Sequence, residues 1–242
     1  MYKHLRAGAE SGIDFSNRWF ANNNDLTTIE ITDEIPPDLN ALLYNLEKTL
    51  EKAYSLKNNA TASKKYAAAS TKRYNALKKY CYNTSLGYYC DYNWKKKKIY
   101  DKITIAGMYP LCFLDLYPET MTSLGTGAAK VIRENLLKDA GVQCTVTSTS
   151  QQWDAPNGWA PLEWMTIWGL DRTGQKDLAK DIAQRWMKLN NDVFQRTGKL
   201  MEKYNVADTH LDAGGGEYPG QDGFGWTNGV LLALVGKYGK LW

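Results

Sequence analysis

The stretch "PDLNALLYNLEKTLEKAYSLK", residues 37–57, decides the fold class of this chain. Its leucines recur every three or four residues, which is the spacing of one face of an α-helix. The leucines on this face are Leu39, Leu42, Leu43, Leu46 and Leu50. Asp38 stands where it could cap the N-terminal end of the helix. The pattern therefore predicts an amphipathic α-helix.

The same three- and four-residue spacing recurs along the chain, and strand-like alternation is nearly absent. It predicts further helices over residues 62–82, 127–140, 161–170, 176–196 and 227–239. The loops between them are rich in Gly, Asn, Asp and Trp, so we expect the helices to act as a scaffold and the loops to carry function. The sequence has no fixed-period repeat, which favours an all-α toroid over a helical repeat array.

Length and composition narrow the class of protein. A chain of 242 residues with 43% hydrophobic residues can build one sizeable core or two small ones. The net charge is +4, but the excess is concentrated in "NWKKKKIY", residues 93–100, which predicts a solvated turn and not a nucleic-acid surface. No apolar run is long enough for a membrane span, and the first residues lack the apolar core of a signal peptide. We expect neither nucleic acid nor a membrane as partner.

The cysteines give no sign of a structural metal. Their spacing is not the paired spacing of a zinc site, and only His4 and His210 could add imidazole ligands. Cys81 and Cys90 could form a disulfide in a secreted protein. The sequence also contains two glycosylation sequons, at Asn59 and Asn83, so secretion is favoured over the cytoplasm.

The loop "QQWDAPNGWAP", residues 151–161, has the composition of a sugar site. Tryptophans stack on sugar rings, and amide and carboxylate side chains hydrogen-bond their hydroxyls. Its two prolines and Gly158 exclude a regular helix across the loop. The candidate contacts are Trp153, Asp154, Asn157 and Trp159. The alternative is a Trp-anchored loop that fills a core.

Cleavage of an acetal requires two carboxyl groups in different settings, one protonated and one ionised. Asp14 lies between Ile13 and Phe15, an apolar setting that favours the protonated form of a carboxyl group. The alternative is that Asp14 caps a helix that begins at Phe15. Asp14 is thus a candidate general acid.

The second carboxyl group is sought near the glycine-rich segment "DAGGGEYPGQDGFGWTNG", residues 212–229. Glu202 follows a long predicted helix and precedes this segment, whereas Glu217 and Asp222 lie within it, on backbone that glycine allows close to a ligand. The alternative for Glu202 is a solvated ion pair with Lys199 or Lys203. The segment has no Gly-Lys-Ser/Thr element, so it does not predict a phosphate loop. The chain also has no Gly-x-Ser-x-Gly nucleophile motif.

Five blocks resemble the trehalases, glycoside hydrolase family 37, in the order of that family. They are "RAGAESGIDFSNRWF", "DLNALLYNLEKTL", "QQWDAPNGWAP", "MEKYNV" and "GGGEYPGQDGFGWTNGV". The resemblance runs through nearly the whole chain. It implies an (α/α)6 barrel that hydrolyses α,α-trehalose to two glucose molecules with inversion and without metal or cofactor.

The resemblance also implies roles for single residues. Asp14 matches the general acid and Glu202 the general base, with Glu217 as the alternative base or a sugar contact. The expected substrate-binding residues are Gly12, Trp153, Asp154, Asn157, Trp159 and Glu217. Inversion requires the two carboxyl groups to stand roughly 6.5–9.5 Å apart, with room for a water molecule.

The sequence also departs from the family. A first signature with sugar-binding arginines, found upstream in trehalases, is absent from these residues, and Arg6 and Arg18 are not assumed to replace it. Ile13 replaces the family's usual aromatic residue. We therefore expect residues 1–242 to form a single trehalase-like catalytic domain, truncated at its N-terminus, with about the C-terminal half to two-thirds of the barrel. The alternatives are an inactive trehalase-like fragment or carbohydrate-binding pseudoenzyme, or another inverting glycosidase that acts on a glucan.

Overall fold

A computed structural model describes residues 1–212, 215, 216, 218 and 220–240 of the chain, and Glu217 lies outside the described residues. Helices dominate this described part. Its eight α-helices are α1 (Tyr2–Glu10), α2 (Pro37–Leu56), α3 (Ala60–Ala76), α4 (Tyr109–Phe113), α5 (Pro118–Val131), α6 (Ala160–Arg172), α7 (Lys176–Thr197) and α8 (Gly225–Tyr238). The helical character expected from residue spacing is confirmed.

Two predicted helices end differently from the expectation. Helix α3 stops at Ala76 and widens into a π-helical turn over Leu77–Cys81, and α5 continues into a similar turn over Ile132–Leu136. Each turn leads directly into a short β-hairpin. Helix α5 also begins well before residue 127, because Pro118 occupies its first turn, where a missing N–H is tolerated.

The strands are two or three residues long and close the loops between helices. They are β1 (Glu34–Ile35), β2 (Tyr82–Asn83), β3 (Tyr88–Tyr89), β4 (Tyr92–Asn93), β5 (Lys98–Ile99), β6 (Leu137–Lys138), β7 (Gly141–Val142), β8 (Asn157–Trp159) and β9 (Lys203–Asn205). Strands β1, β4 and β5 form one antiparallel sheet, and the others pair as β2–β3, β6–β7 and β8–β9. Such short runs leave little alternation for a sequence pattern to detect.

The helices pack as neighbouring pairs around a shared core. Helix α2 lies against α3 and α4, and α6 lies against α4, α7 and α8. Helix α7 supplies much of the buried apolar surface, including Trp186 and Met187, both fully buried. The N-terminal ends of α6 and α8 and the C-terminal end of α7 connect to the loops that contain the candidate residues.

The apolar face predicted for α2 is only partly used. Leu39, Leu42 and Leu46 are exposed at 52%, 42% and 51%, whereas the buried contacts of the helix include Ala41 and Tyr44. The prediction that Asp38 caps the helix is also wrong. The helix begins at Pro37, and the Asp38 carboxylate binds the Arg18 guanidinium instead.

The lysine-rich segment forms the exposed turn between β4 and β5, as predicted. In this turn Lys95 pairs with Asp33 and Lys96 with Glu30. All four cysteines are buried free thiols, so the disulfide considered possible between Cys81 and Cys90 is not formed. The described helices include none long and apolar enough to cross a bilayer. In the same part of the chain, no cluster of three or more metal-ligating side chains occurs.

Candidate active site

A buried aspartate ties the Trp-rich loop to the N-terminal segment. Asp154 is 0% exposed, and its oxygens accept hydrogen bonds from the hydroxyls of Ser16 (2.6 Å) and Thr149 (2.5 Å) and from the backbone N–H of Asn17 (2.9 Å). The Thr145 hydroxyl adds a longer bond of 3.2 Å. Burial raises the pKa of Asp154, and these hydrogen bonds oppose the shift. The carboxylate therefore holds two loops together and faces protein donors.

Asp14 lies in the loop that follows α1, next to the Trp-rich loop. Its side chain is half-buried, and its backbone carbonyl accepts a 2.6 Å hydrogen bond from Gln152 Nε2. The helix-cap alternative is wrong, because no α-helix begins at Phe15 and Ser16 caps the short 3₁₀ turn Asn17–Trp19. The Asp14 carboxylate is thus left for another role. Gly12, two residues earlier, is exposed and has a φ of 77°.

Glu202 is buried immediately before β9, and four hydrogen bonds hold it. Its backbone N–H donates to Gln221 O at 2.7 Å, and its carbonyl accepts from Trp226 Nε1 at 3.0 Å. Tyr218 Oη donates to Oε1 at 3.0 Å, and Lys203 Nζ lies 3.3 Å from Oε2. The alternative of an ion pair is right about the partner Lys203 and wrong about its setting, because Glu202 is only 5% exposed and the pair is buried.

Strand pairing brings the Trp-rich loop to Glu202. Strand β8 runs antiparallel to β9, and Trp159 pairs in register with Lys203, the residue after Glu202. The rings of Trp153 and Trp159 stack at 3.8 Å and 6°, and Trp226 meets both edge-on. Both stacked rings are buried, at 8% and 1% exposure, so this pair is also part of the core.

Three amide oxygens near this aromatic cluster have no hydrogen-bond partner among the described residues. They belong to Gln151, Gln152 and Asn157, and all three are buried. The nitrogen of the Asn157 amide is used, since it donates to Gln152 O and Gly215 O. A buried acceptor without a donor costs about 1–3 kcal/mol. A ligand hydroxyl would remove that cost, which makes these oxygens candidate sugar contacts.

The arginines of the N-terminal block are paired with carboxylates of the protein. The Arg18 guanidinium is 2% exposed and hydrogen-bonds both oxygens of Asp38 and both oxygens of Asp91. Arg6 is 81% exposed and pairs with Glu10 on α1. Neither side chain takes the place of a sugar-binding arginine.

Sequence reasoning missed several members of the site. Gln151, Gln152, Lys203, Tyr218 and Trp226 contact the expected residues, yet none was among them. All five lie within the quoted motifs, and Lys203 was considered only as an ion-pair partner of Glu202. The composition of the motifs did not show which side chains would be left without partners. Asp222 pairs with Lys199 on the surface and does not join the site. Glu217 lies outside the described residues, so its expected role is untested.

The chain is similar to known proteins over nearly its whole length. A sequence model of the trehalase family matches residues 1–239. The chain is 44% identical to the periplasmic trehalase of Xanthomonas oryzae pv. oryzae and 41% identical to that of Pseudomonas aeruginosa, over 98% and 99% of its length. It covers 41% and 43% of those two proteins.

Solved structures share the fold. The neutral trehalase of Saccharomyces cerevisiae superposes with a TM-score of 0.79 at 21% identity, over 98% of this chain and 42% of that one. A mannosylglycerate hydrolase of glycoside hydrolase family 63 from Thermus thermophilus gives 0.60 at 20% identity, over 84% and 46%. The expected (α/α)6 toroid fold class is confirmed. Since the family match covers nearly every residue, the chain belongs to the trehalase family.

Proposed function

We propose that this chain provides the acid and base for inverting hydrolysis of α,α-trehalose to two glucose molecules. Asp14 protonates the glycosidic oxygen, and Glu202 removes a proton from the attacking water. The observation that carries the proposal is the buried Glu202 carboxylate, with one hydrogen bond to each oxygen, beside the Trp153–Trp159 stack. The names of the relatives support trehalose as the substrate.

The substrate contacts follow from the unpartnered acceptors. Sugar hydroxyls donate to the amide oxygens of Gln151, Gln152 and Asn157. Trp226, the partly exposed ring of the aromatic cluster, provides an apolar surface for the sugar ring. Asp154 acts indirectly, because its oxygens are taken by protein donors. No metal or cofactor enters this mechanism.

The first test is glucose release from trehalose. General acid–base groups contribute about 10²–10⁴-fold, so Asp14→Asn and Glu202→Gln should each lower kcat by that factor. Asp139→Asn and Glu134→Gln make the same chemical changes at exposed positions and should leave the rate unchanged. Wild-type turnover in either site variant would contradict the assignment. Maltose and a longer glucan serve as substrate controls for the alternative glycosidase.

A second candidate function is binding without turnover. The length of the chain favours this candidate, because the chain spans about two fifths of the length of the trehalases it matches. Trehalose binding is measured by tryptophan fluorescence, because Trp153, Trp159 and Trp226 form one cluster. Binding without glucose release would support this candidate, and absence of both would reject trehalose as the ligand.

We also infer that the protein acts outside the cytoplasm. The relatives are named periplasmic trehalases, and this naming supports the expectation drawn from the sequons. Fractionation of producing cells should recover the protein with exported markers. Recovery with a cytoplasmic marker would contradict the inference.

A further inference from the structure

The side chain of Lys203 occupies an unusual place for an amine. It is 0% exposed, and its Nζ lies 3.8 Å from the centroid of the Tyr218 ring and 5.5 Å from that of Trp159. Burial of an ammonium group is costly unless it is paired. Its ion-pair partner is Glu202 Oε2, 3.3 Å away. The two aromatic faces and the carboxylate together compensate the buried charge.

Both oxygens of Glu202 are therefore assigned to different donors. Tyr218 Oη donates to Oε1 and Lys203 Nζ to Oε2, so the carboxylate cannot turn without breaking a bond. The backbone on both sides of the carboxylate is fixed as well, by Gln221 and Trp226. This arrangement leaves the orientation of the base independent of any ligand.

The electrostatic consequence concerns the charge of Lys203. Burial disfavours the charged form of an amine, and an anion within about 4–6 Å favours it. Burial lowers the pKa of Lys203, and the Glu202 carboxylate opposes that shift. The ion pair therefore holds the ammonium group beside the proposed base.

The other titratable groups around this pair do not replace Lys203. Asp222, which bridges to Met201, is engaged by Lys199 at the surface. Glu163 reaches beneath Gly158 of β8, and burial raises its pKa well above the usual range. Trp159 and Trp226 contribute uncharged rings.

We propose that Lys203 is a positioning residue that holds the Glu202 carboxylate through Oε2, while Tyr218 fixes its other oxygen. This rests on the proposed function of Glu202 as the general base. Loss of the ammonium group leaves Oε2 without its donor and the carboxylate without its neighbouring cation. The acidic limb of the pH–activity profile should then move to higher pH.

The test compares Lys203→Met with Lys199→Met, the same change at an exposed lysine of the adjoining loop. In Lys203→Met, the acidic limb of kcat/KM should move to higher pH. In Lys199→Met it should stay at the wild-type position. Tyr218→Phe should lower kcat, because it frees one oxygen of the base. Superimposable profiles for the two lysine variants would overturn the proposal.

A second measurement needs neither turnover nor a folded Lys203→Met variant. Carbon-13 NMR follows the Glu202 carboxyl and nitrogen-15 NMR follows Lys203 Nζ in the wild-type chain as the pH is varied. Protonation of Glu202 should appear as a shift at Lys203 Nζ with the same midpoint, and no shift there would overturn the proposal. An inactive chain that shows the coupled titration would reject the proposed function alone.

Discussion

The hydroxyl of Ser16 donates a 2.6 Å hydrogen bond to the carboxylate of Asp154, across 138 positions of the chain. This contact joins the segment of the candidate acid to the loop that contains the stacked tryptophans. The adjoining backbone is joined too, since Trp153 N–H donates to Phe15 O at 3.3 Å. The relative placement of Asp14 and the aromatic cluster therefore depends on a carboxylate whose oxygens accept hydrogen bonds from the protein itself.

Replacement of Asp154 by Asn should destabilise the fold by about 2–3 kcal/mol, because charged hydrogen bonds are lost and a buried donor is left without an acceptor. Chemical denaturation measures this change. Asp139→Asn, at an exposed position, is the matched control. Equal midpoints for the two variants would show that the Ser16 contact contributes little.

The Arg18 guanidinium is the next structural element open to test. Arg18→Met leaves Asp38 and Asp91 without their cation, and breaking a buried ion pair in this way costs about 3–5 kcal/mol. Arg6→Met removes an exposed partner of Glu10 and should leave the melting temperature unchanged. A small loss of stability in Arg18→Met would mean that water replaces the guanidinium between the two carboxylates.

Residue spacing predicted most of the helices because burial of one face imposes a 3.6-residue period, and α6 and α7 end close to the predicted limits. The spacing did not predict which face of a helix would be buried. The exposed Leu39, Leu42 and Leu46 have the spacing of a core face, and only the positions of α3 and α4 show that Ala41 and Tyr44 are the contacts made.

The site was predicted in part for a similar reason. A motif shows which residue types are present, but the side chains that remain unpaired depend on distant partners. Asp154 is a residue type that often binds sugar hydroxyls, yet its carboxylate accepts hydrogen bonds from Ser16 and Asn17 of the protein. Gln152 is in the same motif, and its amide oxygen has no donor within the described chain.

Two helical glycines differ in the space around them, so replacing each by alanine should have opposite effects on stability. A Cβ at Gly127 in α5 would lie 2.4 Å from Gly87 O, which cannot move freely, so Gly127→Ala should cost about 1–3 kcal/mol. A Cβ at Gly229 in α8 meets nothing within 4 Å, and Gly229→Ala should stabilise the helix by about 0.5–1 kcal/mol. Thermal melts of both variants check the sign, and a loss in Gly229→Ala would contradict the open surface at α8.

The last prediction concerns a buried carboxyl group beside the site. Glu163 on α6 is 0% exposed, its Oε1 accepts a 2.8 Å hydrogen bond from Val142 N–H, and its Oε2 has no partner among the described residues. Burial raises its pKa well above the usual range. The folded chain therefore keeps this proton at pH values where the unfolded chain has lost it.

The sign of the pH dependence follows from that difference. Below the ordinary glutamate pKa both states hold the proton, and the group adds no pH dependence. As the pH rises above it, stability falls by up to about 1.4 kcal/mol per pH unit until the folded-state pKa is reached. Glu163→Gln removes this loss, so its stability relative to wild type should rise steadily from pH 5 to pH 8. Urea denaturation across that range measures the slope, with Glu134→Gln, an exposed change, as the control. Parallel stability curves for wild type and Glu163→Gln would mean that Glu163 is ionised in the folded chain.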